Sequence, residues 1–309
     1  PATLSLGSTA WGEDSATTTW TGYVWKGGTG DIFADKTTAE ATEIWKNGDN
    51  WGVDSTTTTW TGTGNGPGTA DSNMWSTIKI DGGVTFGSEN SRLITLEGWN
   101  PSFELSNGAN LYINMYKWQT NKSVSTSVTK GSVLDIDFQD GQFSGSGNLT
   151  IGANSSIVFR MQNTSSTASF TIDMNASTAT MKFIGDNAIT HTGAITVNST
   201  YIAGAIANAA ESVGTINLGL YATNVGLTNL TFNLGLTADT WIDLNGTAPS
   251  NLNLSSSFYT IGQGAEGQYY VSYIRREEGY TPLTYSTGGT LTWTEEAEFD
   301  NGRTYETKD

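Results

Sequence analysis

The stretch Asn148-Leu149-Thr150-Ile151-Gly152-Ala153-Asn154-Ser155-Ser156 decides the fold. Its first four residues alternate polar and apolar, the period-2 mark of a strand with one buried face. A short corner of small residues follows instead of a paired hairpin loop. Outward from it the same texture recurs. Thr77-Ile78-Lys79-Ile80, Asn110-Leu111-Tyr112-Ile113-Asn114-Met115 and Val133-Leu134-Asp135-Ile136-Asp137-Phe138 precede it. Phe170-Thr171-Ile172-Asp173-Met174, Ile195-Thr196-Val197 and Leu230-Thr231-Phe232-Asn233-Leu234 follow it. Corners such as Ser106-Asn107-Gly108 separate the runs.

An antiparallel sandwich and a parallel β-solenoid both produce short strands at such spacing. Two features favour the solenoid: the pattern persists over residues 77–294 without a break, and the turns are corners. The predicted fold class is therefore all-β, a single-stranded parallel β-solenoid. At roughly 20 residues per coil and ~4.8 Å of rise, it would stack about ten coils. Two segments leave the pattern. Alanine-rich Tyr201 to Glu211 predicts a short helix or an excursion, and Asp35 to Trp45 is a second helical candidate.

Residues 1–76 form a distinct Trp-, Thr- and Gly-rich section. Trp11-Gly12-Glu13-Asp14-Ser15-Ala16-Thr17-Thr18-Thr19-Trp20-Thr21-Gly22 returns as Trp51-Gly52-Val53-Asp54-Ser55-Thr56-Thr57-Thr58-Thr59-Trp60-Thr61-Gly62, with ten of twelve residues identical. Repetition at this period marks stacked supersecondary units of about 40 residues. Residues 295–309 make a polar tail.

Composition supports strands and excludes several functions. The chain has 309 residues, 37 of them Gly, and 11 Trp, 12 Tyr and 11 Phe, enough to build a core. Thirty acidic against 14 basic residues give a formal net charge of −16, which excludes the clustered cations of a nucleic-acid binder. The absence of cysteine excludes thiol chemistry and disulfides, and suits an exported bacterial protein. No apolar run is long enough for a transmembrane segment.

Three passages carry a family resemblance. Thr59 to Thr77 (TWTGTGNGPGTADSNMWST) resembles the opening of the passenger regions of autotransporter-like bacterial surface proteins. Gly145 to Phe159 (GSGNLTIGANSSIVF) is similar to the coil motif of their right-handed parallel β-helices, and Leu283 to Thr294 (LTYSTGGTLTWT) resembles their closing coils. The resemblance implies a right-handed β-helix that is secreted or held on a bacterial cell surface. It implies no particular activity. Such proteins end in a membrane β-barrel, whereas Glu295 to Arg303 is polar, so attachment to a cell is not inferred.

Candidate chemistry is sparse. Asp135, Asp137 and Asp140 form the best carboxylate cluster, with Asp135 and Asp137 on one strand face. Such a set suits calcium, or acid/base work on a sugar in a polysaccharide lyase or hydrolase. The plainer reading is that alternation turns both acids to water. Arg92, Arg160, Arg275, Arg276 and Arg303 all lie away from the cluster in sequence, so an enzyme is not expected. His191, the one histidine, reads as an ordinary strand residue with no serine nominated beside it. Trp25, Trp99 and Trp118 are candidate sugar-stacking rings, weighed against core packing. The Asn-x-Ser/Thr triplets at Asn148, Asn154, Asn163, Asn198 and Asn229 are expected from composition alone.

A solenoid exposes unpaired strand edges at its ends, which template pairing with another copy. Ala2, Leu4 and Leu6 alternate at one end, and Leu291 and Trp293 at the other. These residues are the candidate subunit interface of a head-to-tail homopolymer. The leading expectation is an extracellular structural protein, a fibre or coat subunit, with a glycan-binding adhesin as the alternative.

Overall fold

A computed structural model of the chain describes residues 23–53, 67, 77–96, 102–116, 118–139, 142–162, 165–211, 213–236, 252–253, 258–274, 284–285 and 291–292. They are mostly strand, and the coils stack in parallel as a β-solenoid. The alternation drives this. A strand with apolar residues on one face hides them only if the next coil repeats the same phase, and the register shows that it does.

Three parallel faces result. Face A is built by β4 (Thr77–Asp81), β7 (Ser102–Ser106), the ends of β9 (Trp118–Val128) and β11 (Gln142–Ile151), β14 (Ser169–Asp173), β16 (Ile195–Asn198) and β18 (Leu230–Asn233). Face B is built by β5 (Val84–Phe86), β8 (Asn110–Met115), β10 (Val133–Phe138), β12 (Ser156–Met161), the start of β15 (Thr180–His191) and the middle of β17 (Val213–Leu227). β6 (Thr95–Leu96) pairs with the end of β8. Face C joins the starts of β9 and β11 to β13 (Ser165–Ser166), the end of β15 and the end of β17.

Buried columns run through the interior from coil to coil. On face B, Leu111, Leu134, Ile157, Met181 and Leu220 lie in register, as do Ile113, Ile136, Phe159, Phe183 and Ala222. Most stacked partners sit 23 to 25 residues apart rather than roughly 20, widening to 35 to 39 where β17 and β18 join, so the stack falls well short of about ten coils.

The corners explain the small residues. Asn107 (φ 56°) and Gly108 (φ 79°) turn the chain through the left-handed region, where asparagine and glycine carry the least steric cost. Cross-coil bonds at these corners join main chain to main chain, and buried serines add to them. Ser132 Oγ accepts from the Ala109 N–H at 3.1 Å, and Ser155 Oγ accepts from the N–H groups of Gly131 (3.0 Å) and Ser132 (3.3 Å). Both serines are buried, so their hydroxyls satisfy amides that water does not reach.

The described part of the Trp-rich section belongs to the same sheet. β1 (Tyr23–Trp25) pairs in parallel with β4 and antiparallel with β3 (Trp51–Val53), and β2 (Gly30–Asp31) pairs with β5. Between them, α1 (Thr38–Lys46) starts at a capping box. Glu40 accepts from the Thr37 N–H at 2.8 Å, and Thr37 Oγ1 accepts from the Glu40 N–H. This helix buries Ala41 and Trp45. Trp25, Trp45, Trp51 and Phe33 then pack edge-on around Phe86 and one another, with centroids 4.8 to 5.3 Å apart.

The chain divides into two compact units. The first comprises residues 1–199, 219–233 and 265–268; the second comprises 200–218, 234–264 and 269–309. In the second, α2 (Tyr201–Ala207) forms where the alanine-rich run predicts it and buries Ile202 and Ile206. Strand Phe258–Gln263 pairs antiparallel there with residues 269–274, burying Tyr259, Ile261, Tyr269, Val271 and Tyr273.

Candidate functional site

β10 places Asp135 and Asp137 on the outer side of face B, opposite the buried Leu134, Ile136 and Phe138. The expectation that both acids point into water fails at Asp135, whose side chain is 3% exposed. Two arginines cover it. Arg160 grips the carboxylate side-on, with Nε 3.0 Å from Oδ1 and Nη2 3.0 Å from Oδ2. Arg92 Nη2 donates to Oδ1 at 2.7 Å. Glu89 completes the group by accepting from Arg160 Nη2 at 2.7 Å, while its main-chain oxygen accepts from Arg92 Nη1.

These partners are 43 and 25 residues from Asp135 in sequence, and Glu89 is 71 from Arg160. The argument that no arginine lies near the acids therefore does not survive folding. One signal for Arg160 was present in the sequence. A coil of 23 residues sets it directly over Asp137, from where its fork reaches diagonally to Asp135. Arg92 gives no such signal, because it sits on the loop between β5 and β6.

Asp137 has a different environment. Gln162 Nε2 donates to its Oδ1 at 3.0 Å. Burial pushes its carboxyl above the ordinary value; the Gln162 bond and the two arginines pull the other way, and Asp186 adds to the rise. Tyr112 lies in register with Asp135 one coil earlier, and its hydroxyl is raised by burial and then by the charges of Asp135 and Glu89. Farther along this face, the Lys182 ammonium lies 5.5 Å from the centre of the Tyr221 ring.

The cluster is a closed ion network, with two guanidiniums facing two carboxylates. A carboxylate held on both oxygens by arginine is a poor ligand for calcium. Among the described residues no group of three or more His, Asp or Glu is arranged to hold a metal ion. Asp140 lies outside the described residues.

Trp25 is 7% exposed, with its indole N–H on the Gly28 carbonyl at 2.8 Å, so it presents no open ring to a sugar. Trp99 lies outside the described residues, and Trp118 is described only as the first residue of β9. Ala2, Leu4, Leu6 and Trp293 also lie outside them, while Leu291 belongs to a two-residue strand paired with Thr284–Tyr285.

His191 is fully buried at the end of β15, between the rings of Phe143 and Phe183 at 6.1 Å each. Its Nε2 bonds the Ala168 carbonyl at 2.8 Å, and its Nδ1 meets the hydroxyl of Ser166. The sequence nominated no serine for it. The stacking of β13 on β15 supplies one, out of reach of solvent.

The chain matches no family model, no curated protein and no solved structure. Among the described residues no helix is long and apolar enough to cross a membrane.

Proposed function

We propose that this chain is an extracellular structural protein of a bacterium, secreted or displayed on the cell surface, whose solenoid forms or decorates a fibre or coat. One observation carries the reading: the polar groups of its sheet surface are spent on holding coils to each other. Asp135, Arg92, Arg160 and Glu89 tie four successive face-B levels together. Lys79 reaches Glu104 at 2.9 Å across face A, Asn198 donates to Asp173 at 2.6 Å, and Asp81 accepts from Ser106 and Asn107. Such cross-coil ties stiffen a repetitive scaffold.

Self-association is part of the proposal. The end strands of a solenoid are templates for a strand of another copy. The terminal segments containing Ala2, Leu4, Leu6, Leu291 and Trp293 are the proposed contributors to a head-to-tail homopolymer.

Electron microscopy of the purified chain across a concentration series tests this. Filaments with a regular axial repeat, lost on deleting residues 1–7, support it. Isolated particles at every concentration, together with binding in a glycan screen, would replace it with the adhesin reading.

A further inference from the structure

We propose that the Ser166–His191 pair is an acid-sensitive latch between successive coils of face C, built to hold at neutral pH and release as the medium acidifies. This proposal rests on the solenoid's interior and not on whether the chain builds a fibre.

The geometry fixes the tautomer. The Ala168 carbonyl can only accept, so Nε2 carries the proton and donates to it. Nδ1 is then the unprotonated nitrogen and accepts from the Ser166 hydroxyl. Both polar ends of the ring are satisfied in the neutral form. A second proton would enter at Nδ1, directly opposite the hydroxyl that now donates to it. Ser166 would have to turn its proton away, and the Met161 sulfur at 3.5 Å is the weak alternative acceptor.

Among the described residues no charged side chain acts on the ring. Phe143 from β11 and Phe183 from β15 have ring centres 6.1 Å from that of the imidazole, Ser166 from β13 bonds it, and Met161 from β12 touches Ser166. The Thr228 N–H and hydroxyl bond the His191 carbonyl from beyond β17. None of these groups titrates. Burial pushes the imidazole below its ordinary 6.5, opposed by the Ala168 bond, and no charged side chain contributes. Acid must therefore either bury an unpaired cation among phenylalanines or open the coil.

The sign follows. The opened coil binds a proton that the closed coil resists. Stability is complete above the opened-state value near 6.5 and is lost as pH falls through it, until the closed-state value is passed. The opening constant rises up to tenfold per pH unit below about 6.5, and so up to about thirtyfold at pH 5.

Amide hydrogen exchange on the full chain tests the latch, with intrinsic rates corrected for pH. The amides of Thr167, Ala168 and Thr192, which bond across face C, are expected to open up to about thirtyfold more often at pH 5 than at pH 7. Face-A amides such as Gly152 serve as the internal reference. His191→Gln, which keeps a donor for Ala168 and cannot charge, should lose the acid-dependent part. Should that variant not fold, the ring can be followed directly, because the chain has a single histidine whose NMR signals need no assignment. A ring that titrates near 6.5 in the closed protein overturns the proposal. So does face-C opening that matches face A at both pH values, or that stays acid-dependent in His191→Gln.

Discussion

Replacing Asp135 and Asp137 separately by asparagine should move stability in opposite directions, although they are two residues apart on one strand face. Asp135 is the common anchor of two guanidiniums whose side chains are only 10% and 19% exposed. Asparagine keeps the shape but removes the charge, leaving Arg92 and Arg160 with Glu89, itself 64% exposed, as the remaining carboxylate of the network. Removing one member of a buried pair costs about 3–5 kcal/mol, and the partial solvation of Arg160 points to the lower end. At about 2.1 cal/mol/K of unfolding entropy per residue, about 3 kcal/mol lowers the melting temperature of a 309-residue chain by about 5 °C.

At Asp137 burial raises the carboxyl, so the folded protein resists the ionised form. That group contributes most when protonated, below its unfolded value, and its contribution is lost as pH rises through the folded one. Asp137→Asn should therefore melt higher than wild type at pH 7, because its Oδ1 still accepts from Gln162. The gain should vanish near pH 3.5, where Asp137 is itself neutral. Thermal and urea melts of both variants at the two pH values decide it. Equal losses in the two variants, or an Asp135→Asn protein within about 1 kcal/mol of wild type, would refute the assignment of the network.

Three further outcomes are expected. Phe159→Ala removes a buried ring that touches Phe138, Phe143, Phe170 and Phe183, and should cost about 3–5 kcal/mol in urea denaturation. Ser155→Ala strips the shared acceptor from the Gly131 and Ser132 amides, costing about 1–3 kcal/mol, with faster hydrogen exchange at those two positions. Lys79→Ala breaks an exposed pair with Glu104 and should change stability by less than about 1 kcal/mol, an effect that disappears in high salt.

The strands were legible because each needs only its own alternation. Val133 to Phe138 shows its inward residues without any knowledge of its neighbours. The two helices were legible in part, from the alanine-rich run Tyr201 to Glu211 and from the segment Asp35 to Trp45. What stayed hidden depends on register. A coil of 23 to 25 residues, not roughly 20, decides that Arg160 meets Asp135 and that Ser166 meets His191. Placing Arg92 needs more still, because its side chain leaves a loop rather than a strand. Trp25 misled for another reason: a polar neighbour such as Lys26 says little about burial when the ring packs edge-on against Trp51 and Phe86.

The ion network has a consequence for cooperativity. In a solenoid each coil touches only its neighbours, so stability is a sum of coil terms and nearest-neighbour terms, and fraying can begin at any weak joint. The loop carrying Glu89 and Arg92 breaks that rule. It leaves face B at β5 and fastens to β12, passing over β8 and β10, a span of about 14 Å at ~4.8 Å per level. Separating any of these levels costs the carboxylate of Asp135 one of its two arginines, which couples their opening. No such bond is needed to bury the interior, where the apolar columns already run unbroken. The arginine–carboxylate strap adds resistance to local opening along one face, while His191 leaves face C as the place where acid can start it.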